Sequence, residues 1–375
     1  MKHKAKTETK TKKKFSSVAA LIISLFLALL IAGTGCLATA IFLNAAPSAP
    51  PRDADGVNTD SIGGAVVEVR RGESAASVGA RLASAGIIKS ALFWQVLCRI
   101  QNEFIKAGVY RIEMPLPASS IYALLVRGEQ IFISVTIPEG STIKKTAAIW
   151  EEAGVCSAND FIDAARSAAL LDLYKIPVNL RLNSPQKGAA VNSLEGYLFP
   201  DTYFVPPVYP AEKAVMFMAD TFFKKLKEAE IDYAALTPEE LYRKITLASM
   251  VEREYRDADE APLIAGVFLN RLDIGMRLES CATVEYIITE IQGRPHPRRI
   301  WDSDTKIENP YNTYYNAGLP PGPICSPGIP ALKAAFYPRS SPFLFFRLVD
   351  TRAGKHYFSR TFDDHIKAAA LLVKG

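Results

Sequence analysis

The chain has 375 residues, 22% of them charged, and a net charge of +5. Residues 1–14 hold seven lysines against one glutamate, a net +6, which leaves −1 for residues 15–375. A nearly neutral body excludes the basic footprint of a nucleic-acid-binding protein.

No charged residue occurs from Phe15 to Pro51, and the apolar centre runs from Val18 to Leu43. At about 1.5 Å per residue, such a helix spans the roughly 30 Å hydrocarbon core of a bilayer. It exceeds the ~7–15 apolar residues of a signal-peptide core. An uncleaved transmembrane helix over 15–46 is therefore expected, rather than a leader cut after Asn44-Ala45-Ala46 or a lipoprotein signal at Cys36. The preceding lysines place the 1–14 tail in the cytoplasm and everything after Ala46 outside. Residues 47–64, rich in Pro, Gly, Asn and Ser, read as a linker.

Residues 65–137 read as a small α+β unit. Val66–Val69 is a short strand, and Ser74 caps a helix carrying Val78, Leu82 and Ala85 at helical spacing. A second helix covers 91–101, a strand 108–112, and a short helix runs from Ser119 to Val126. A β-branched strand over 131–137 closes the unit at Pro138. Beyond it, helices are expected over 142–153, with Ser141 as N-cap, and over 158–169, 211–231, 238–255 and 261–272. On the 238–255 helix, Leu241, Ile245, Ala248 and Glu252 share one face. Residues 176–194 and 292–328 read as irregular, and the second stretch carries too many aromatics (Trp301, Tyr311, Tyr314, Tyr315) to be disordered. A strand pair at 344–348 and 356–358 and a helix from Asp363 end the chain. Of the exported cysteines (Cys98, Cys156, Cys281, Cys325) none forms a C-x-x-C pair. Free thiols are the expectation, with a Cys281–Cys325 bridge left open.

Chemistry is sparse. The four histidines form no H-E-x-x-H and no cluster with cysteine, so no metal is expected. Walker and G-x-G-x-x-G loops are absent, so no nucleotide cofactor is expected. Ser141-Thr-Ile-Lys144 matches S-x-x-K by chance spacing, without K-T-G. Carboxylates remain. Glu195 stands among Leu194, Tyr197, Leu198 and Phe199, apolar neighbours that desolvate a carboxylate and raise its pKa, as a general acid requires. The aromatics there offer platforms for sugar rings. Glu252 and Glu254 are i, i+2 on one helix, so only one is expected to face inward.

The segment Leu194-Glu-Gly-Tyr-Leu-Phe-Pro-Asp-Thr-Tyr203 resembles the signature of the YceG-like (MltG) endolytic murein transglycosylase family. Ala248-Ser-Met-Val-Glu-Arg-Glu254, Val267-Phe-Leu-Asn-Arg-Leu272, Thr283-Val-Glu-Tyr286, Pro310-Tyr-Asn-Thr-Tyr314 and Gly318-Leu-Pro-Pro-Gly-Pro323 follow in the family's order. The resemblance covers roughly residues 65–370.

It implies an α+β fold with a single N-terminal transmembrane helix, a LysM-like subdomain at 65–137 and a mixed α+β catalytic domain at 138–375. It also implies residence in the cytoplasmic (inner) membrane and cleavage of β-1,4 bonds between N-acetylmuramic acid and N-acetylglucosamine in nascent peptidoglycan strands. The product is a 1,6-anhydro end, and strand elongation stops. Glu195 is the implied catalytic residue, no cofactor is implied, and peptidoglycan synthases are the implied partners. Tyr197, Phe199, Asp201, Glu252, Asn270, Arg271, Tyr311, Asn312 and Tyr314 are candidates for sugar contact or support. Where many family members carry aspartate and proline before the threonine, this chain has Cys281 and Ala282. A non-catalytic peptidoglycan-binding scaffold is the alternative reading. A third is a hydrolase using Glu252 as a second acid.

Overall fold

The computed structural model describes residues 2–59, 64–177, 192–207 and 209–372, with side chains from Leu21 onward. Most of the irregular stretch expected at 176–194 lies outside the described residues. The chain divides into two units, Met1–Phe132 and Ile133–Gly375.

In the first unit, helix α1 (Lys2–Asn44) runs through both the lysine-rich tail and the apolar segment. Its stretch Leu21–Asn44 has mean hydropathy 2.5, none of its most apolar part is buried, and it is long and apolar enough to cross a membrane. Strand β1 (Val57–Thr59) then pairs antiparallel with β2 (Gly64–Val69), so part of the segment expected as linker is folded. The reason is packing: Val57 faces inward with Val67 and is fully buried. Helices α2 (Ala75–Ser84) and α3 (Ala91–Gln101) follow, started by Ser74 and Ser90, whose hydroxyls accept from Ser77 N and Phe93 N. Strand β3 (Gly108–Glu113) returns along β2, and α4 (Ala118–Arg127) closes the unit. Trp94, Leu82, Tyr110, Ile112 and Ile121 fill its core. Arg81 is buried yet satisfied, paired with Glu73 at 2.7 Å and donating to the carbonyls of Asp55 and Glu68.

The strand expected at 131–137 belongs to the second unit. As β4 (Ile133–Thr136) it pairs antiparallel with β5 (Thr202–Val205), with Val135 opposite Tyr203. Helix α5 (Ile143–Glu152) is capped by the Thr142 hydroxyl rather than by Ser141, whose hydroxyl donates to the Pro138 carbonyl. The helix expected at 158–169 is two, α6 (Ala158–Ala165) and α7 (Ala168–Leu173). Ser167 between them accepts from Leu170 N, and that cap competes with helix continuation. Next come α8 (Ala211–Glu228), α9 (Pro238–Glu254) and α10 (Ala261–Asp273). A capping box between Thr237 and Glu240 opens α9.

Residues 245–251 of α9 are all buried, so it is the central helix of its unit rather than a one-faced surface helix. It packs against α10 and α12 (Ile329–Phe336). Helix α11 (Cys281–Tyr286) runs on into a π turn, Ile287–Ile291. Neither α11 nor α12 was anticipated. Residues 292–328 carry only a 3-10 turn, Asp304–Lys306, and are held by amide side chains: Asn312 donates to Thr305 O and Ile307 O, and Asn316 to Asn309 O. Strands β6 (Phe345–Asp350) and β7 (Lys355–Ser359) and helix α13 (Phe362–Lys367) complete the described chain.

Candidate active site

Glu195 sits in a tight turn. The Tyr197 N–H donates to Leu194 O at 3.0 Å, and Gly196 takes φ +84° at the third position, the conformation of a type II turn. Only glycine fits there. A Cβ at residue 196 would stand 2.6 Å from Pro323 Cβ and 2.9 Å from Ile245 Cγ2. The turn drives the Glu195 side chain inward, to 6% exposure. Its carboxyl lies at the start of α5, where the Ile143 N–H reaches Oε1 at 3.1 Å and Oε2 at 3.2 Å. The Tyr286 hydroxyl donates to Oε2 at 3.4 Å. Burial pushes this carboxyl up to about 8. The Ile143 N–H opposes the rise, the Glu290 carboxylate adds to it, and Tyr286 and Arg166 oppose it. The group therefore carries its proton at neutral pH while being held by donors that also suit its ionised form. That is the electrostatic condition for one residue to give a proton and then take one back.

Four tyrosines close the surroundings. Tyr286 and Tyr311 rings lie 5.0 Å apart, and Tyr197 stacks on Tyr242 at 6.2 Å. Gly322 makes room for two of them: a Cβ there would meet the Tyr242 hydroxyl at 2.3 Å and the Tyr311 hydroxyl at 3.0 Å. Burial raises the hydroxyl pKa of Tyr242, Tyr286 and Tyr311, so all three remain neutral donors.

A second carboxyl group lies on α9. Glu252 accepts from the Gly328 N–H at 2.9 Å and faces the Tyr255 hydroxyl at 3.5 Å. Burial pushes it up to about 7, with the Glu139 carboxylate adding to the rise. Glu139 lies against Gly328, where a Cβ would meet its Oε1 at 2.0 Å. The expectation that only one of Glu252 and Glu254 turns inward is not met. Glu254 accepts from the Ser280 hydroxyl at 2.5 Å, and burial raises its pKa too. Helix α9 ends at Glu254, so different loops flank its last turn and each carboxyl finds its own.

The other sequence candidates divide sharply. Tyr311 joins the Glu195 surroundings. Tyr197 and Phe199 are buried, so neither ring is a platform for a sugar. Tyr197 packs on Phe222, and Lys225 lies over the Phe199 ring. Asp201 pairs with Lys225 at 3.0 Å. Asn270 donates to Ser341 O and Phe343 O, and Arg271 to Leu344 O and Leu278 O; both clip the entry to the final hairpin. Asn312 is wholly buried and braces its loop. The Tyr314 hydroxyl meets the Cys281 thiol at 3.2 Å. All five cysteines are free, so no Cys281–Cys325 bridge exists.

Sequence reasoning missed Ile143, Tyr286, Tyr242, Glu139 and Glu290. A backbone N–H leaves no signature in sequence. Tyr286 ends the Thr283–Tyr286 motif, and that motif was its only signal. Among the described residues no three of His, Cys, Asp and Glu converge as a metal set.

Fold and site together define an α+β protein whose second unit holds Glu195 as a buried carboxylic acid that carries its proton at neutral pH. The sequence profile of the YceG-like family matches residues 67–370. The endolytic murein transglycosylase of Streptococcus pneumoniae serotype 2 is 30% identical over 377 residues, 95% of this chain. This chain spans 65% of that relative's length. The endolytic murein transglycosylase of Bacillus subtilis is 26% identical over 314 residues, covering 80% of this chain and 83% of its own. A crystal structure of a YceG-like protein from Listeria monocytogenes superposes with TM-score 0.52 at 28% identity, covering 82% of this chain and 99% of that one. The chain belongs to the YceG-like family.

Proposed function

We propose that this chain is a membrane-anchored endolytic transglycosylase of peptidoglycan, with Glu195 as its acid and base. One observation carries the reading: a buried carboxyl group with pKa about 8 that accepts from the first N–H of α5. Protonated, Glu195 gives its proton to the glycosidic oxygen between N-acetylmuramic acid and N-acetylglucosamine, and the C1–O bond breaks. The C6 hydroxyl of the same muramoyl unit attacks C1, and Glu195 as carboxylate takes the hydroxyl proton. The products are a 1,6-anhydro end and a free C4 hydroxyl, and no water is consumed. Because the nucleophile is intramolecular, the second carboxylate of ordinary glycosidases is not needed.

In this reading Leu21–Asn44 is a single-pass anchor, the lysines of residues 1–14 face the cytoplasm, and both units beyond it face the cell wall. The β2–α2–α3–β3 order supports a LysM-like, glycan-binding role for the first unit. Nascent strands are the substrate, and the synthases that extend them are the partners.

The test is digestion of purified peptidoglycan by the full chain, with mass spectrometry of the fragments. Anhydro ends from the native chain and none from Glu195→Gln are expected; normal product from that variant sinks the assignment. Binding without product favours the scaffold reading. A second catalytic reading has its own support, since Glu252 is pushed up to about 7. Hydrolysis with Glu252 as second acid gives ends one water heavier, and the same spectra separate the two.

A further inference from the structure

Helix α3 carries an apolar stripe on its outer face. Leu92, Val96 and Ile100, spaced four residues apart, are 71%, 46% and 75% exposed, and Phe104 just beyond the helix is 93% exposed. The opposite face of α3 buries Trp94 in the core of the first unit. A run of large apolar side chains left uncovered on one helix face is a contact surface rather than chance.

The same unit shows what lies beside that face. The membrane-length helix α1 ends at Asn44, and its end is fastened to the unit. The Lys89 ammonium donates to Phe42 O at 3.1 Å and stands over the Phe42 ring at 4.1 Å. Asn44 Oδ1 accepts from Ser119 N, in the first turn of α4, at 2.9 Å. Lys89 immediately precedes Ser90, the N-cap of α3. The apolar stripe thus begins at Leu92, three residues after Lys89, which touches the last turns of the hydrophobic segment at Phe42. There is no spacer to lift it away from that level.

We infer that α3 lies in the outer surface of the lipid bilayer, with Leu92, Val96, Ile100 and Phe104 inserted among the acyl chains. An interfacial helix of this kind buries its apolar face about 5–10 Å into the headgroup boundary. Arg99 falls seven residues after Leu92, two turns along the same face, and is exposed, placed to reach lipid phosphates as its stem lies along the apolar surface. The first unit is then held flat against the membrane at two places, its helix α1 and its stripe on α3. This inference rests on the reading of Leu21–Asn44 as a membrane span.

The test uses the full chain reconstituted in vesicles of phosphatidylethanolamine and phosphatidylglycerol, with and without brominated acyl chains. Leu92→Trp and Ile100→Trp are compared with the native chain, which has three tryptophans. The expected result is emission from each added indole that is blue-shifted and lost in brominated lipid, beyond any loss in the native chain. A chain that floats with the vesicles but whose added indoles are not quenched overturns this inference and leaves the anchor intact. Unquenched emission that shifts with protein density assigns the stripe to a second copy and also overturns it. A chain that does not float with vesicles overturns both the anchor and the inference.

Discussion

The Lys144 ammonium donates to the carbonyl oxygen of Glu290 at 2.5 Å. Lys144 follows Ile143, whose N–H holds Glu195, and Glu290 lies one turn beyond Tyr286, the other donor to Glu195. One hydrogen bond therefore joins the two elements that grip the buried carboxyl group, the start of α5 and the π turn after α11. Such π turns recur at functional sites because they displace a neighbouring side chain from regular helical register. Lys144→Met removes the joint without touching Glu195. A hydrogen bond from a charged group contributes about 1.5–3 kcal/mol, and a small misplacement of a catalytic group costs up to about a hundredfold in rate. The expected result is a fall in kcat with KM little changed, and a displaced alkaline limb of the pH profile. Lys144→Arg restores part of the rate. Unchanged kcat and pH profile in Lys144→Met would show that the clip does not position the acid.

The pH dependence of catalysis follows from burial of Glu195. The acid must be protonated to start the reaction, so kcat/KM in the free enzyme falls as pH rises through about 8. A limb near the ordinary carboxyl value would contradict the assignment of Glu195 as the acid. Initial rates of anhydro-product release from pH 5 to 10 measure it.

The same shift makes a stability prediction of definite sign. The folded carboxyl pKa of about 8 is raised above the ordinary 4.5. Between those values the unfolded chain releases a proton that the folded chain keeps, so the contribution of Glu195 to stability is fully present below about 4.5, falls as pH rises, and levels off above about 8. The loss is on the order of a few kcal/mol. Glu252 adds a slope of the same sign that ends near 7. Denaturant melts at several pH values should show a shallower decline for Glu195→Gln than for the native chain. Parallel curves refute the linkage.

Gly196→Ala tests the turn that aims Glu195. The φ of +84° and the 2.6 Å approach to Pro323 both oppose a methyl group. A loss of about 1–3 kcal/mol is expected from strain and overpacking, with activity falling further than stability because the carboxyl group moves. Calorimetry and product release on the same preparation read both.

Arg271→Ala separates structure from chemistry among the sequence candidates. The guanidinium serves the carbonyls of Leu344, Leu278 and Arg277. Its loss leaves partly buried acceptors unpaired, at about 1–3 kcal/mol each where water cannot replace it. A lowered melting temperature with an unmoved pH profile is expected. A pH limb that shifts with this substitution would place Arg271 in the acid–base machinery.

The amino-acid sequence by itself determined the apolar segment, the helices with strong caps and the identity of the glutamate set among apolar residues. Hydropathy, the serine cap at Ser74 and the apolar neighbours of Glu195 are local features, written in a few adjacent residues, whereas the Ser167 cap that divides the helix expected at 158–169 was not read from them. The tertiary structure alone decided which groups meet Glu195. Ile143 is 52 residues away and Tyr286 is 91, and a backbone N–H is the same in every sequence. It also turned Tyr197 and Phe199 from exposed platforms into core residues, since the fate of an aromatic ring depends on what packs against it. The depth of Glu195 follows from the same cause: its neighbours in sequence are apolar, but it is α5, α9 and α11, brought together from distant parts of the chain, that exclude water and hold the proton on the carboxyl group.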